Sequence, residues 1–99
     1  MRRLFLCFAL LLVGACAGPA PVEEYTLART ALVAAKQAGA EKFTPGLWFR
    51  ANEQYRKAQK AYGDRYYKEA REYLLNARKF AEKAENATWL KKSESGEGF

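Results

Sequence analysis

The sequence predicts an all-α protein, a three-helix antiparallel bundle or a helical hairpin plus one helix, that follows a cleaved N-terminal signal peptide. Three observations predict it. Apolar residues recur at every third or fourth position across residues 21–92, which is the spacing of one helix face. Gly39, Pro45 and Gly63 interrupt this pattern, and no segment alternates as a β-strand does. A short apolar run precedes the helical part.

The amino terminus has the layout of a secretory signal peptide. Arg2 and Arg3 are followed by an apolar run over residues 4–13. A membrane-spanning helix needs roughly 20 apolar residues, so this run predicts a segment that is removed. Two cleavage sites fit the small residues that follow: residues 15–17 suit ordinary signal peptidase, whereas residues 13–16, VGAC, resemble the bacterial lipobox.

The lipobox resemblance implies cleavage between Ala15 and Cys16 and a lipid on Cys16. The thiol would carry a diacylglyceryl group and the new amino group an acyl chain such as palmitate. Cys7 is removed with the signal, so an unmodified Cys16 would be a lone thiol in an exported chain, which favours the lipobox. Ala17 follows in place of the Asp associated with inner-membrane retention. We therefore expect an outer-membrane lipoprotein that faces the periplasm.

Four segments are predicted. Residues 1–15 are the lipoprotein signal peptide, residues 16–22 a lipidated tether, residues 23–92 the helical domain and residues 93–99 a disordered tail.

The first predicted helix covers residues 21–38. Glu23 and Glu24 suit the positive end of the helix dipole, and Gly39 suits a left-handed stop. The second covers residues 45–62, with Thr44 as a cap and Pro45 at its first position. Its buried stripe is predicted to contain Trp48, Ala51, Tyr55, Ala58 and Tyr62.

The third predicted helix covers residues 65–92, and Asp64 is predicted to cap it. The apolar residues of its stripe recur about every 3.5 residues, which suits nearly antiparallel helices. The stripe is predicted to contain Tyr66, Ala70, Tyr73, Ala77, Phe80, Ala84 and Ala87. Because alanine buries little area, stability should depend on the aromatic residues. We interpret the tyrosines of these stripes as part of the core, with their hydroxyls at its rim, in preference to a ligand-binding platform.

The alanine and glycine pattern carries a family resemblance. Residues 38–45 read AGAEKFTP, alanines follow at positions 51 and 58, and Gly63-Asp64 precedes Ala70 and Ala77. This pattern resembles a domain-of-unknown-function family of short, alanine-rich bacterial lipoproteins (DUF 4398-like), over about residues 23–88. Residues 67–77 have a weaker similarity to the second helix of a tetratricopeptide repeat. The preceding turn is longer than that repeat permits, and no second copy follows.

The composition argues against catalysis and against nucleic acid. The chain has no histidine and one aspartate, so histidine-based catalysis and metal sites lack their parts. Glu53 with Lys57 and Arg78 with Glu82 are predicted surface pairs. Without Arg2 and Arg3 the net charge is about +4, but export excludes a nucleic-acid partner. No enzyme activity, cofactor, metal or small-molecule substrate is predicted.

Apolar residues outside the buried stripes indicate an interaction surface. Leu75 and Trp89 fall on the charged side of the third helix, and Phe49 is similarly displaced on the second. The predicted partner surface combines Leu75 and Trp89 with Arg71, Arg78 and Lys79. Three functions stay open: an adapter for another envelope protein, a binder of anionic polymer such as peptidoglycan or lipopolysaccharide through its basic faces, or a self-assembling spacer.

Overall fold

The computed structural model describes residues 19–96, which form three long helices and one short helical turn. These are α1 (Val22–Ala38), α2 (Ala40–Phe43), α3 (Pro45–Gly63) and α4 (Tyr67–Ser95). The all-α prediction is confirmed, and residues 19–96 contain no strand. No helix in this part of the chain has the length and hydropathy to span a membrane. The predicted signal peptide, the cleavage site at Ala15 and Cys16, and residues 97–99 lie outside the described residues.

Contacts near the helix ends give the direction of each long helix. Glu24, near the start of α1, forms an ion pair with Arg71, near the start of α4, at 3.4 Å. Thr44, just before α3, lies with its hydroxyl oxygen 2.9 Å from that of Thr88, near the end of α4. Helix α1 therefore runs parallel to α4, and α3 runs antiparallel to both. This is an up-down-up bundle, as the antiparallel prediction requires.

Small side chains dominate the contacts of α4 with its neighbours. The buried apolar residues of α1 and α3 are nearly all alanine, with Leu32 as the exception. On α4 the buried stripe consists of Ala70, Leu74, Ala77, Ala81, Ala84 and Thr88. Alanines allow close helix approach and lose no side-chain entropy on burial, but each one buries little area. Leu74 is the largest fully buried side chain in this part of the chain, so it carries an unusual share of the apolar burial.

The predicted register of α4 is wrong at every second position. Ala70, Ala77 and Ala84 are buried as predicted, whereas Tyr73, Phe80 and Ala87 are only half-buried, and Tyr66 lies before the helix and is 63% exposed. The reason is that α4 packs against two helices, so the centre of its buried face points between them. The larger residues are displaced to the flank: Phe80 packs against the buried cluster that contains Ala51 of α3, as Trp48 also does.

Of the two predicted caps, Thr44 is the N-cap residue of α3 but does not cap it through its side chain, and Asp64 is wrong. The Thr44 hydroxyl does not cap α3, because it turns to α4 and bonds with Thr88. The Thr88 hydroxyl in turn donates to the Ala84 carbonyl oxygen at 2.7 Å, so this buried polar pair has its partners. Asp64 does not cap α4, whose N-cap residue is Tyr66. Gly63 is the last residue of α3 and does not adopt a positive φ.

The remaining helix ends differ from the prediction by a few residues. Gly39 adopts the predicted left-handed conformation with φ of 100°, and the short turn α2, which was not predicted, follows it. Helix α4 continues to Ser95 and ends at Gly96, which has φ of 76°. The predicted tail from residue 93 is therefore wrong for residues 93–95. The polar composition of residues 93–95 did not indicate a helix, yet the helix continues until the left-handed Gly96 ends it.

Candidate functional site

The candidate surface lies on the side of α4 that faces solvent. We define the outward face as Leu75, Glu82 and Trp89, which are spaced by seven residues and therefore share one side of the helix. Leu75 is 52% exposed and Trp89 is 40% exposed. Leu75 directly follows Leu74, and Trp89 directly follows Thr88. Both preceding residues are fully buried. The core of α4 is thus complete without these two apolar side chains.

The predicted basic residues surround Leu75. Arg71, Arg78 and Lys79 are four residues before, three after and four after it, which are the spacings of neighbours on a helix surface. The Arg71 guanidinium lies 3.4 Å from the Glu24 carboxylate, and Arg78 Nε donates to Glu82 Oε1 at 2.8 Å. Both pairs are exposed, and such pairs contribute about 0–1 kcal/mol. The two arginines are therefore only weakly restrained, and both side chains remain accessible to solvent.

The α1–α4 seam adds a residue that the sequence did not reveal. The Glu24–Arg71 ion pair joins two parallel helices, and the same offset of 47 residues places Leu27 of α1 about level with Leu74, one residue before Leu75. Leu27 is 38% exposed and lies on the flank of α1 opposite Tyr25, the residue that contacts α3. Leu27 and Leu75 therefore border the same seam. The sequence alone could not relate the two residues, because 48 residues separate them.

Trp89 belongs to a separate group at the other end of α4. It is 14 residues from Leu75, which corresponds to about 21 Å along the helix. The Lys92 ammonium lies 4.9 Å from the centre of the Trp89 ring and 5.5 Å from that of Phe43. The adjacent Lys91 donates to the Phe43 carbonyl oxygen at 2.8 Å. The structure thus brings Arg71, Leu75, Arg78 and Lys79 together and leaves Trp89 apart from them, near the other end of α4.

Tyrosines fill the space between α1 and α3. The Tyr25 ring packs edge-on against Tyr55 at 5.4 Å and against Tyr62 at 5.2 Å between ring centres. Burial, together with a hydrogen bond to Tyr25, raises the pKa of Tyr55 to about 12. The Arg29 guanidinium lies 5.8 Å above the Tyr25 ring. Because these rings contact one another and leave only a shallow groove, they fit the core interpretation better than a ligand platform.

The charged side chains of the described part form ordinary surface pairs. The two predicted four-apart pairs are present, with Glu53 and Lys57 at 3.7 Å and Arg78 and Glu82 at 2.8 Å. Within residues 19–96 no three potential metal ligands come together. Exposed Phe49 lies on the side of α3 opposite its buried alanines, away from the outward face of α4.

The fold and the surface define a class: a small, alanine-packed helical bundle with an exposed apolar and basic face on its longest helix. The profile of a domain of unknown function, DUF4398, matches residues 23–97. The chain belongs to this family. This match gives no support to the tetratricopeptide similarity of residues 67–77. The curated proteins and the solved structures contain no match to the chain.

Proposed function

We propose that this protein is a lipid-anchored, non-catalytic helical adapter of the bacterial envelope that faces the periplasm and binds another envelope protein. The sequence around Cys16 supports the anchor, because it resembles a lipobox and follows a signal-like apolar run. A lipid with more than one acyl chain holds a protein stably at a membrane. Helix α1 starts six residues after Cys16, so the bundle would stay close to the bilayer.

The exposure of Leu75 beside three basic residues is the observation that supports partner binding. An isolated exposed leucine needs no explanation. Here, however, Arg71 and Arg78 flank Leu75, and Leu27 is exposed on the neighbouring helix α1. A few buried anchors, chiefly tryptophan, tyrosine and arginine, supply most of the binding energy in protein interfaces. The long aliphatic parts of the arginines can cover apolar surface around such an anchor.

The heptad spacing of the outward face favours a helical partner. Leu75, Glu82 and Trp89 form a stripe about 21 Å long, which is about four turns of helix. A partner helix laid along this stripe would meet an apolar residue, a charged pair and a second apolar residue. The Glu82–Arg78 pair in the middle would set the register, as single polar positions do in coiled coils.

Crosslinking in native membranes tests this proposal. A Leu75→Ser, Trp89→Ser double variant should keep its helical circular dichroism and lose its crosslinked neighbour. Phe49→Ser is the matched control, because Phe49 is 61% exposed on α3, away from the outward face. Unchanged crosslinks in a folded double variant would refute this surface. Equal loss in the Phe49→Ser control would show that the effect is not specific to α4.

An anionic envelope polymer is the second candidate partner. The net charge of about +4 that the chain keeps without Arg2 and Arg3 favours it. Contacts of that kind weaken as salt screens them, whereas an apolar contact is much less sensitive. Loss of binding in 0.5 M salt, or only after Arg71, Arg78 and Lys79 are neutralised, would support the polymer. A self-assembling spacer would instead show a mass that rises with protein concentration.

A further inference from the structure

One end of the bundle carries both the start of the described chain and the α3–α4 turn. We call this the tether end and define it as Val22 and residues 64–66. The ion pair of Glu24 with Arg71 places the start of α1 beside the start of α4. The rings of Tyr62 and Tyr67 pack edge-on at 5.7 Å across the turn itself. Any lipid on Cys16 would therefore attach next to the α3–α4 turn.

The tether end exposes apolar and aromatic surface. Tyr66 is 63% exposed and Val22 is 60% exposed. Tyrosine places an apolar ring and a polar hydroxyl at the boundary between hydrocarbon and water, where it is enriched in membrane proteins. Lys60, Arg65 and Lys68 are exposed around Tyr66, with Asp64 and Glu69 among them. This mixture of charges suits zwitterionic headgroups, whose phosphates pair with the basic side chains.

The turn presents these residues in a fixed conformation. Arg65 has φ of 64° at a position where helices usually place glycine. The Tyr66 amide donates to the Ala61 carbonyl oxygen at 2.8 Å, and the Arg65 amide donates to that of Tyr62 at 3.1 Å. These two bonds form a Schellman motif, which fixes the backbone that carries the exposed Tyr66. A left-handed arginine costs about 1–3 kcal/mol, so its presence at an exposed turn points to a role outside the fold.

The reach of the tether limits what this end can contact. Five residues separate Cys16 from Pro21, and an extended chain spans at most about 3.6 Å per residue. The tether end would therefore lie within about 18 Å of the lipid attachment point. Trp89 lies 22 residues along α4 from Tyr67, or about 33 Å farther away. A membrane surface is thus in reach of Tyr66 and out of reach of Trp89 in an upright bundle.

We propose that the tether end is a membrane-contact surface, on which Val22, Arg65 and Tyr66 touch zwitterionic phospholipid headgroups and hold the bundle upright. This inference rests on the proposed lipid anchor. It explains how the outward face is kept away from the bilayer: Leu75 and Trp89 stand at increasing heights above the headgroups. The membrane that holds the anchor is the only occupant proposed for this surface.

Two single-cysteine variants of the mature, membrane-extracted protein test the proposal, since an acylated Cys16 has no free thiol. Tyr66→Cys and its matched control Leu90→Cys carry an environment-sensitive dye at positions that are 63% and 65% exposed. Both are placed in phosphatidylethanolamine and phosphatidylcholine vesicles that contain headgroup-labelled quencher lipid. The dye at position 66 should lose most of its fluorescence, and the dye at position 90 should lose little.

Each other outcome has a distinct meaning. Equal quenching at both positions would show a bundle lying flat and would overturn the upright arrangement. No quenching at position 66, in protein whose mass shows an acylated Cys16, would overturn the membrane-contact surface while the anchor stands. A mass that shows an unmodified Cys16 would overturn the anchor, and this inference with it. Quenching at position 66 that requires anionic lipid would contradict the zwitterionic contact.

Discussion

Replacing Leu74 with alanine should destabilise the domain far more than the same change at Leu75. The two residues are adjacent on α4, so both substitutions remove the same atoms and alter helix propensity equally. Leu74 is 0% exposed, whereas Leu75 is 52% exposed. Truncating a buried leucine costs about 2–5 kcal/mol, and a surface change usually costs less than about 0.5 kcal/mol. The difference between the variants therefore measures the burial of one side chain.

The expected loss of unfolding free energy in Leu74→Ala is large for this fold. Most other buried side chains are alanines, so Leu74 accounts for much of the apolar contact that α4 makes with its neighbours. In a domain of this size 1 kcal/mol changes the melting temperature by about 4–8 °C. Leu74→Ala should lower it by at least about 8 °C, and Leu75→Ala by less than about 4 °C.

Urea unfolding of the helical domain, followed by circular dichroism at 222 nm, gives both free energies. Tyr73→Ala provides a further comparison, because Tyr73 lies on the half-buried flank. It should lower the free energy of unfolding by less than Leu74→Ala does. If Leu75→Ala proved as costly as Leu74→Ala, the register of α4 and the assignment of its outward face would both be wrong.

Four further predictions concern the glycines, the left-handed Arg65 and Tyr55. Gly63→Ala should stabilise the domain by about 0.5–1 kcal/mol, because Gly63 is helical and a Cβ there meets nothing within 4 Å. Gly39→Ala should destabilise the domain, because Gly39 has φ of 100° and the added Cβ would lie 3.3 Å from the Phe43 ring. Arg65→Gly should raise the urea midpoint, because it removes a left-handed arginine; an unchanged or lower midpoint would show that the turn stores no strain. The raised pKa of Tyr55, about 12 against 10.0, stabilises the fold below pH 10, and this contribution is lost as pH rises from 10 to 12. The urea midpoint should therefore fall less over that range in Tyr55→Phe than in the unchanged protein, and an equal fall would contradict this.

The helices could be predicted from the sequence, but the register of α4 could not. Apolar residues occupy both members of the pairs 73–74 and 80–81, so the periodicity fits either stripe. The choice depends on the two neighbours of α4, which together leave room for Leu74 and Ala81 at the centre and for Tyr73 and Phe80 at the edge. At the next pair, 87–88, the polar Thr88 did not indicate burial, because its partner Thr44 is 44 residues away.

The candidate surface was predictable only in part for the same reason. Leu75 and Trp89 stand out in the sequence as large apolar residues away from either possible stripe. Leu27 lies near the level of Leu75 only because α1 packs parallel to α4. The left-handed turn fell at Arg65, two residues after Gly63, where sequence rules place the helix stop.

The mass of the protein extracted from its native membrane tests the central claim most directly. The proposal of a lipid-anchored adapter requires cleavage before Cys16, a diacylglyceryl group on its thiol and an acyl chain on its amino group. Intact mass spectrometry should show a mature chain that begins at Cys16 and carries this added lipid mass. An unmodified chain that begins at Gly18, as ordinary signal peptidase would produce, would contradict the account.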